Sequence, residues 1–245
     1  MLQPIILAAG KGTRMQTEKP KALFPIQGKP MIDWLLDTLA QVPSTKSPLI
    51  VIGHGGEHIR AHLGDRYTYV MQTELTGPAT AVKTCIPIFL TQADPALILY
   101  GDNPFITKES IERAEALFTA TNATLIFGSV TVPHFENEYA SYLRFGRVTR
   151  DAAGDVERIV EYKNADDAER AITEVNSGMY CVDPAWLASA LQQIQPNPVS
   201  GEYYLTDIVE LARGEGRRIV TASLAPREGL GINSIEDAVC AQFLL

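Results

Sequence analysis

Cysteines are few in this sequence, and no two of them stand close together. Cys85, Cys181 and Cys240 are the only three in 245 residues, and no CxxC pair occurs. A zinc site or a disulfide framework needs cysteines at short and regular spacing, so we expect neither. The same scarcity favours a reducing compartment, and we expect the protein to be cytoplasmic.

Long apolar runs and basic blocks are also missing. The sequence has no apolar run of about 18 residues, the minimum for a transmembrane helix. The opening MLQPIILAAGK has no basic lead before its short apolar stretch, so no secretory signal is expected either. The formal net charge is −8 without any basic block, which argues against nucleic-acid binding. We therefore expect no nucleic-acid partner and no membrane partner.

What the sequence does contain is a series of short apolar runs, each followed by a loop and then a helical pattern. The runs occupy 4–9, 48–53, 67–72, 96–100 and 123–132. They are almost wholly apolar rather than alternating, which is typical of parallel strands buried on both faces of a sheet. The alternation of strands and helices predicts an α/β fold with a Rossmann-like, doubly wound and mostly parallel sheet. A helix over 31–42 carries one apolar stripe and should pack on that sheet: Ile32, Leu35, Leu36 and Leu39.

The pattern changes after residue 133. Two β-like stretches flank the turn AAG at 152–154, and EVNSGMYCVD at 174–183 is typical of another strand. We expect a single domain over 1–245. Its core would comprise 1–133 and about 184–245, and a smaller β-rich insertion over about 134–183 would lie above the active site.

The first apolar run leads into GKGTRM, residues 10–15. These residues match only the first half of the dinucleotide-binding pattern GxGxxG, since Met15 replaces its third glycine, and no P-loop pattern occurs. Three prolines follow within the next fifteen residues, so we expect no helix at once but an extended lid that crosses the site: Pro20, Pro25 and Pro30.

Gly10 and Gly12 would offer backbone N–H groups to a polyphosphate, and several cations surround them: Lys11, Arg14, Lys19 and Lys21. A tight turn that carries surface lysines explains the glycines equally well.

A carboxylate, Asp102, follows the apolar run 96–100 in LYGDNP. In doubly wound sheets ligands bind outside the carboxyl ends of the strands, where the strand order reverses. If the strands at 4–9 and 96–100 are neighbours, Asp102 faces the glycine-rich loop and could hold Mg²⁺ together with substrate phosphates. The alternative is an aspartate that caps the next turn, as Asp before Asn-Pro often does.

Taken together, ten motifs in order resemble the nucleotidyltransferase domain of the bacterial bifunctional N-acetylglucosamine-1-phosphate uridyltransferase/glucosamine-1-phosphate acetyltransferase. They are LAAGKGTRM, KPKALFPIQGKP, GHGGE, VMQTE, LYGDNP, FGRV, IVEYKNA, EVNSGMY, GEYYLTD and GINS. The resemblance runs from about residue 4 to residue 240. It implies Mg²⁺-dependent transfer of a uridylyl group from UTP to N-acetylglucosamine 1-phosphate, giving UDP-N-acetylglucosamine and pyrophosphate.

The resemblance also assigns residues. The implied catalytic residues are Lys21, Arg14 and Asp102, and the implied metal ligands are Asp102 and Asn233. The implied nucleotide-binding residues are Leu7, Ala8, Ala9, Gly10, Gly12, Gln72, Gly77, Pro78, Tyr100 and Gly101. The implied sugar-binding residues are Gly146, Glu161 and Asn176, which would give the β-rich part its role, and Asn233 of the core.

Two departures from the family pattern keep alternatives open. After its uracil-contacting glutamine the family has a sequence close to LGTGHA, whereas this chain has LTGPATA, so Pro78 replaces a threonine and Thr80 a histidine. Proline has no N–H to offer a base, which leaves open a sugar-1-phosphate nucleotidyltransferase for another base or sugar, such as thymidine triphosphate with glucose 1-phosphate.

Two other classes of protein are alternatives. A glycosyltransferase would normally have Asp-x-Asp where this chain has Asp102-Asn-Pro, and a non-catalytic nucleotide-sugar sensor would bind its ligand without turnover. The acetyltransferase half, a left-handed β-helix of hexapeptide repeats, has no counterpart in these residues, and the oligomeric state is left open.

Overall fold

The computed structural model describes residues 1–10, 12, 15, 19–91 and 94–242. Its strands, numbered in chain order, are β1 Gln3–Leu7, β2 Pro25–Ile26, β3 Lys29–Pro30, β4 Leu49–Ile52, β5 Thr68–Met71, β6 Ala96–Tyr100, β7 Leu125–Thr131, β8 Arg147–Arg150, β9 Val156–Val160, β10 Glu174–Val182 and β11 Ile219–Ser223. Its α-helices are α1 Met31–Ala40, α2 Gly56–Leu63, α3 Pro78–Lys83, α4 Ile86–Phe89, α5 Lys108–Thr121, α6 Asp167–Arg170, α7 Pro184–Gln193, α8 Asp207–Gly214 and α9 Ile235–Gln242. In this described part, no helix combines the length and the apolar character that a membrane crossing requires.

The central sheet has the strand order β11-β7-β10-β6-β1-β4-β5. Parallel pairs join β1 to β4, β1 to β6, β4 to β5 and β7 to β11, whereas β10 runs antiparallel to both β6 and β7. The prediction of an α/β fold with a mostly parallel sheet is therefore confirmed. Strands β1 and β6 are neighbours, with Leu7 opposite Tyr100, so the loops that follow them start side by side.

The apolar runs form parallel strands because both faces of the sheet are covered. Alternate side chains of β1 point into two separate core clusters, Ile6 into one and Ile5 into the other, and β6 divides its side chains in the same way. Helix α1 packs into the first cluster through its predicted stripe, which is buried: Ile32, Leu35, Leu36 and Leu39. Helices α3, α7 and α8 cover the opposite face. Burial on both faces stabilises the sheet from which the site loops emerge.

The strands β8 and β9, in the predicted β-rich part, are joined to the main sheet through β10. The hairpin of β8 and β9 pairs with the first half of β10 at Val175 and Arg147, while the second half of β10 lies between β6 and β7. Between these halves the register shifts, and Gly178 has a positive φ of 82°. The division into a core and a β-rich part remains a prediction.

The proline-rich segment differs from the expected extended lid. Residues Lys21–Leu23 form a short 3₁₀ turn directly after Pro20, with the Leu23 N–H donating to the Pro20 carbonyl over 2.9 Å. The strands β2 and β3 then pair as a very short hairpin. Proline restricts its own φ and the residue before it, so the spacer between Pro20 and Pro25 remains able to form one 3₁₀ turn. The expectation that the whole segment is extended was wrong, and the turn directs Lys21 into the site.

A buried carboxylate, Glu228, ties the beginning of α5 to the last part of the chain. Its oxygens accept hydrogen bonds from the Ser110 hydroxyl over 2.6 Å, from the Ala225 N–H over 2.9 Å and from both polar groups of Thr107. Burial by itself raises the pKa of Glu228, but the hydrogen bonds from Ser110, Thr107 and Ala225 outweigh it and lower the pKa below 4.5.

We expect Glu228→Gln to lower the free energy of unfolding by about 1–3 kcal/mol at pH 7, because an amide nitrogen would face donors that need an acceptor. A lowered folded-state pKa means that the carboxylate stabilises the fold above pH 4.5 and loses that contribution as the pH falls through the folded pKa. Urea denaturation at pH 7 and below pH 4 should therefore show a difference between wild type and variant that shrinks in acid. Glu157→Gln, on an exposed strand position, is the control. A difference that stays constant with pH would contradict this assignment.

Candidate active site

A pocket of about 430 Å³ opens at the carboxyl ends of β1 and β6. All the predicted nucleotide-binding residues except Gly12 line it, together with Lys21 and Asp102: Leu7, Ala8, Ala9, Gly10, Gln72, Gly77, Pro78, Tyr100 and Gly101. Gly12 instead lies against the side chain of Lys21, where an added Cβ would come within 2.6 Å of the lysine Cβ. Arg14, predicted to be catalytic, lies outside the described residues.

The floor of the pocket is held by hydrogen bonds across the strand ends. The Gly101 N–H donates to the Leu7 carbonyl over 2.9 Å, and the Ala8 N–H donates to the Val51 carbonyl over 2.9 Å. A Cβ at Gly101 would lie 3.2 Å from the Leu7 carbonyl oxygen, so the two loops approach closely there. This close approach brings the glycine-rich loop and Asp102 to one edge of the sheet.

Three polar side chains from distant parts of the chain meet at this edge. The Lys21 ammonium contacts the Asp102 carboxylate and donates to the Asn233 Oδ1 over 2.7 Å. The Lys21 side chain is only 12% exposed, so its charge is largely removed from water and compensated by these oxygens.

The loop that carries Asn233 is fixed in its place beside Asp102. The Ile232 N–H donates to the Asp102 backbone carbonyl over 2.9 Å, and the Asn233 N–H donates to the Asp237 carboxylate over 2.9 Å. The Asn233 Nδ2 donates to the Gly231 carbonyl over 3.0 Å, which identifies the nitrogen and leaves Oδ1 toward Lys21. The structure thus brings together the two predicted metal ligands.

The Asp102 carboxylate and the Asn233 amide oxygen suit a hard divalent cation. Both oxygens already contact one cation, the Lys21 ammonium. Mg²⁺ prefers oxygen ligands, and protein sites often supply only one or two of them, with substrate phosphates and water completing the shell. The Asp102 and Asn233 oxygens therefore fit a site that substrate phosphates would complete. Within the described ranges no group of three or more His, Cys, Asp or Glu side chains could hold a metal.

The predicted sugar-binding residues of the β-rich part lie beside one another. An added Cβ at Gly146 would lie 3.6 Å from the Glu161 Oε1, and the Asn176 N–H donates to the Gly146 carbonyl over 2.9 Å. Asn176 donates from Nδ2 to the Tyr180 hydroxyl over 2.7 Å. Tyr100, which lines the pocket, packs against Gly178 of the same strand as Asn176. Gly146, Glu161 and Asn176 therefore form a cluster next to the pocket and are not among the residues that line it.

Glu161 is placed by a residue that the sequence analysis did not single out. The Thr206 hydroxyl, just before α8, donates to the Glu161 Oε1 over 2.9 Å. Burial raises the pKa of Glu161, and the hydrogen bond from Thr206 opposes that rise. Both Thr206 and the pocket-lining Glu202 belong to GEYYLTD, a motif recognised in the sequence without any residue in it being assigned. The sequence signal that could have identified Glu202 and Thr206 is that both are polar residues shortly before a helix.

Gln72 also lines the pocket and is 5% exposed. Its Nε2 donates to the Gly77 carbonyl over 3.0 Å and to the Thr80 hydroxyl over 2.9 Å. Gly77 has a φ of +126°, and a Cβ there would lie 2.6 Å from the Tyr203 carbonyl oxygen, so glycine is required at this turn. Pro78 occupies the first position of α3, where its missing N–H leaves no helical hydrogen bond unmade.

Known proteins match most of the chain in sequence. The family model described as the MobA-like NTP transferase domain matches residues 4–178. The bifunctional protein GlmU of Brevibacillus brevis is 36% identical over 233 residues, covering 95% of this chain and 49% of its own length. The bifunctional protein GlmU of Heliobacterium modesticaldum is 40% identical over 231 residues, covering 94% and 49%. The chain thus spans about half the length of these relatives.

Solved structures with low sequence identity share the fold. A UDP-glucose pyrophosphorylase complexed with UDP-glucose superposes with a TM-score of 0.78 at 17% identity, covering 100% of this chain and 98% of the other. A putative glucose-1-phosphate thymidylyltransferase from Bacillus anthracis superposes with a TM-score of 0.77 at 21% identity, covering 100% and 95%. At these identities the likeness establishes the architecture alone.

Proposed function

The chain belongs to the MobA-like NTP transferase domain family, and on that premise we propose that it transfers a uridylyl group from UTP to N-acetylglucosamine 1-phosphate. The products would be UDP-N-acetylglucosamine and pyrophosphate. The observation that carries the proposal is the meeting of Lys21, Asp102 and Asn233 at a pocket lined by the glycine-rich loop. Relatives named bifunctional protein GlmU support the choice of reaction.

The reaction requires the protein mainly to position the two substrates and to neutralise the charge of their phosphates. An oxygen of the sugar phosphate attacks the α-phosphorus of UTP in line, and the bond from that phosphorus to the bridging oxygen of pyrophosphate breaks. Because a phosphate nucleophile is already ionised near neutral pH, no side chain has to remove a proton. Mg²⁺, when held by Asp102 and Asn233, would neutralise phosphate charge and help to orient the phosphates.

The roles of most protein groups are proposed from their positions. The backbone of residues 7–10 would receive the triphosphate at the strand ends. Arg14, which lies outside the described residues, would hold the departing pyrophosphate, as the resemblance implies. Lys21 would neutralise charge at the α-phosphate. Since its ammonium contacts the two oxygens proposed for the metal, it has to leave them when metal and nucleotide bind.

The two ends of the site would select the two substrates. Gln72 and Gly77 would contact the uracil ring, and the group of Gly146, Glu161 and Asn176 would bind the sugar through its hydroxyl and acetamido substituents. On this basis residues of about 134–183 carry the sugar side of the site.

We also propose a cytoplasmic location. The donor nucleotide UTP is an intracellular metabolite, and Cys85 and Cys181 are buried free thiols, as expected of a protein in a reducing compartment.

Pyrophosphate release tests the proposed function. The protein with Mg²⁺ is incubated with UTP, CTP, ATP, GTP or thymidine triphosphate, each paired with N-acetylglucosamine 1-phosphate, glucose 1-phosphate or glucosamine 1-phosphate. We expect the fastest release from UTP with N-acetylglucosamine 1-phosphate. Faster release from another pair would reassign the base or the sugar, and no release from any pair, with nucleotide-sugar binding retained, would favour a sensor.

A further inference from the structure

The hydroxyl of Thr80 has all of its hydrogen-bonding capacity occupied. It donates its one hydrogen to the Gly77 carbonyl over 2.8 Å. It accepts from the Thr76 hydroxyl over 3.1 Å and from the Gln72 Nε2 over 2.9 Å. One donor and two acceptor positions are all that a hydroxyl has. Because its hydrogen is directed to Gly77, Thr80 can only accept from Gln72.

This arrangement decides which way the Gln72 amide is turned. Both groups that face one end of the amide, the Gly77 carbonyl and the Thr80 hydroxyl, act as acceptors there. The nitrogen of Gln72 must therefore point at them, and reversing the amide would set its oxygen against two acceptors. Both hydrogen bonds that the Gln72 side chain makes with the described residues use Nε2, so its oxygen is the atom left for a ligand in the pocket.

The backbone nitrogens of residues 78 and 79 cannot donate a hydrogen bond to a nucleotide base. Pro78 has no N–H, and the Ala79 N–H donates to the Tyr203 carbonyl over 3.1 Å. Neither amide can contribute a donor to a base at this end of the pocket. Of the groups proposed to contact the base, Gln72 and Gly77 remain, and Gln72 supplies the side chain whose orientation decides whether a donor or an acceptor meets the base.

We propose that Thr80 is a positioning residue for base selection: its hydroxyl fixes the Gln72 amide so that an acceptor oxygen meets the base. An acceptor at this point favours the ring N–H of uracil over the bare ring nitrogen that cytosine presents at the same position. This inference rests on the proposed function, since it takes the pocket around Gln72 to be the base end of the site. Thr80 stands where the family pattern has a histidine. It is not among the residues that line the pocket, so ligand contacts alone would not identify it.

The test compares UTP with CTP in Thr80→Val and in the conservative variant Thr80→Ser. Initial rates with UTP give kcat and KM, and inhibition of that reaction by CTP gives an inhibition constant even where CTP is not turned over. Thr84→Val is the matched control, since the Thr84 hydroxyl lies one turn further along the same segment and donates to the Ala81 carbonyl over 2.6 Å. Thr80→Ala repeats the experiment with a better helix former if the valine variant does not fold.

We expect Thr80→Val to raise the KM for UTP and to lower the preference for UTP over CTP about three- to tenfold, the effect of one hydrogen bond. Its kcat should stay within about twofold, because a base contact made equally in ground and transition states affects KM. Thr80→Ser should restore the preference and Thr84→Val should leave it unchanged. An unchanged preference in Thr80→Val, or an equal weakening of both nucleotides, would overturn the proposal.

Failure of the proposed function is a separate outcome. If wild type releases no pyrophosphate from UTP with any sugar phosphate, the proposed reaction is wrong. The role of Thr80 is then decided by calorimetry, from the affinities of wild type, Thr80→Val and Thr80→Ser for UMP and CMP. The same loss of preference in the valine variant would support it, and equal preference in all three would overturn it.

Discussion

Lys21→Ala is expected to lower kcat by about 10²–10³, the usual cost of removing one preorganised donor that acts on developing charge. In the folded protein the Lys21 side chain is 12% exposed and its ammonium contacts two oxygens of the site. Among the described residues that line the pocket, no other carries a cation. The KM values should change much less than kcat, because the missing charge acts mainly at the transition state. Pyrophosphate release under saturating substrates measures the effect.

Two matched variants make this result specific to the position of the charge. Lys83→Ala removes an exposed lysine at the end of α3 and should leave kcat within about twofold. Lys21→Arg keeps the charge but changes its shape, and we expect it to restore only part of the rate. Turnover near the wild-type value in Lys21→Ala would remove Lys21 from the proposed role.

The second large effect is expected on the free energy of unfolding when Arg147 is replaced. This side chain is fully buried, and its guanidinium donates to the backbone carbonyls of Tyr142, Leu143, Phe145 and Arg170. It also lies over two aromatic rings, 4.2 Å from the centre of Phe135 and 5.3 Å from that of Tyr162. Burial lowers the pKa of Arg147, and Tyr162 opposes that change.

Arg147→Ala should lower the free energy of unfolding by about 3–5 kcal/mol, because it leaves a cavity and several buried carbonyls without a donor. Arg144→Ala, at an exposed position three residues earlier, should change it by less than about 0.5 kcal/mol. Since Gly146 precedes Arg147, the first variant should also raise the KM for the sugar phosphate. Chemical denaturation followed by steady-state kinetics measures both effects, and a stability loss under about 1 kcal/mol would contradict the assigned role.

The architecture was predictable because its determinants are local in the sequence. Continuous apolar runs predicted strands buried on both faces, and β6 begins and ends at the predicted residues 96 and 100. The stripe of α1 was predicted in the same way from side-chain periodicity. The wrong prediction of an extended segment from Pro20 to Pro30 also has a local cause. Proline excludes a continuous α-helix, but it does not distinguish an extended chain from a single 3₁₀ turn.

The site was predictable only in part, because its geometry depends on contacts between distant residues. The adjacency of β1 and β6 had to be assumed before Asp102 could be placed beside the glycine-rich loop. Asn233 has no local signal, and only the resemblance to a known family pointed to it. Its place is set by the hydrogen bond from the Ile232 N–H to the Asp102 carbonyl, which joins residues far apart in the sequence. The positions of Thr206 against Glu161 and of Thr80 against Gln72 likewise need the folded structure.

A crystal structure of the protein with UDP-N-acetylglucosamine and Mn²⁺ tests the central proposal most directly, since the anomalous signal locates the metal. We predict manganese bound to the Asp102 carboxylate, the Asn233 Oδ1 and phosphate oxygens, with the Lys21 ammonium moved from those two side chains to the nucleotide. Manganese bound away from Asp102 and Asn233, or nucleotide outside this pocket with Lys21 still between the two side chains, would contradict it.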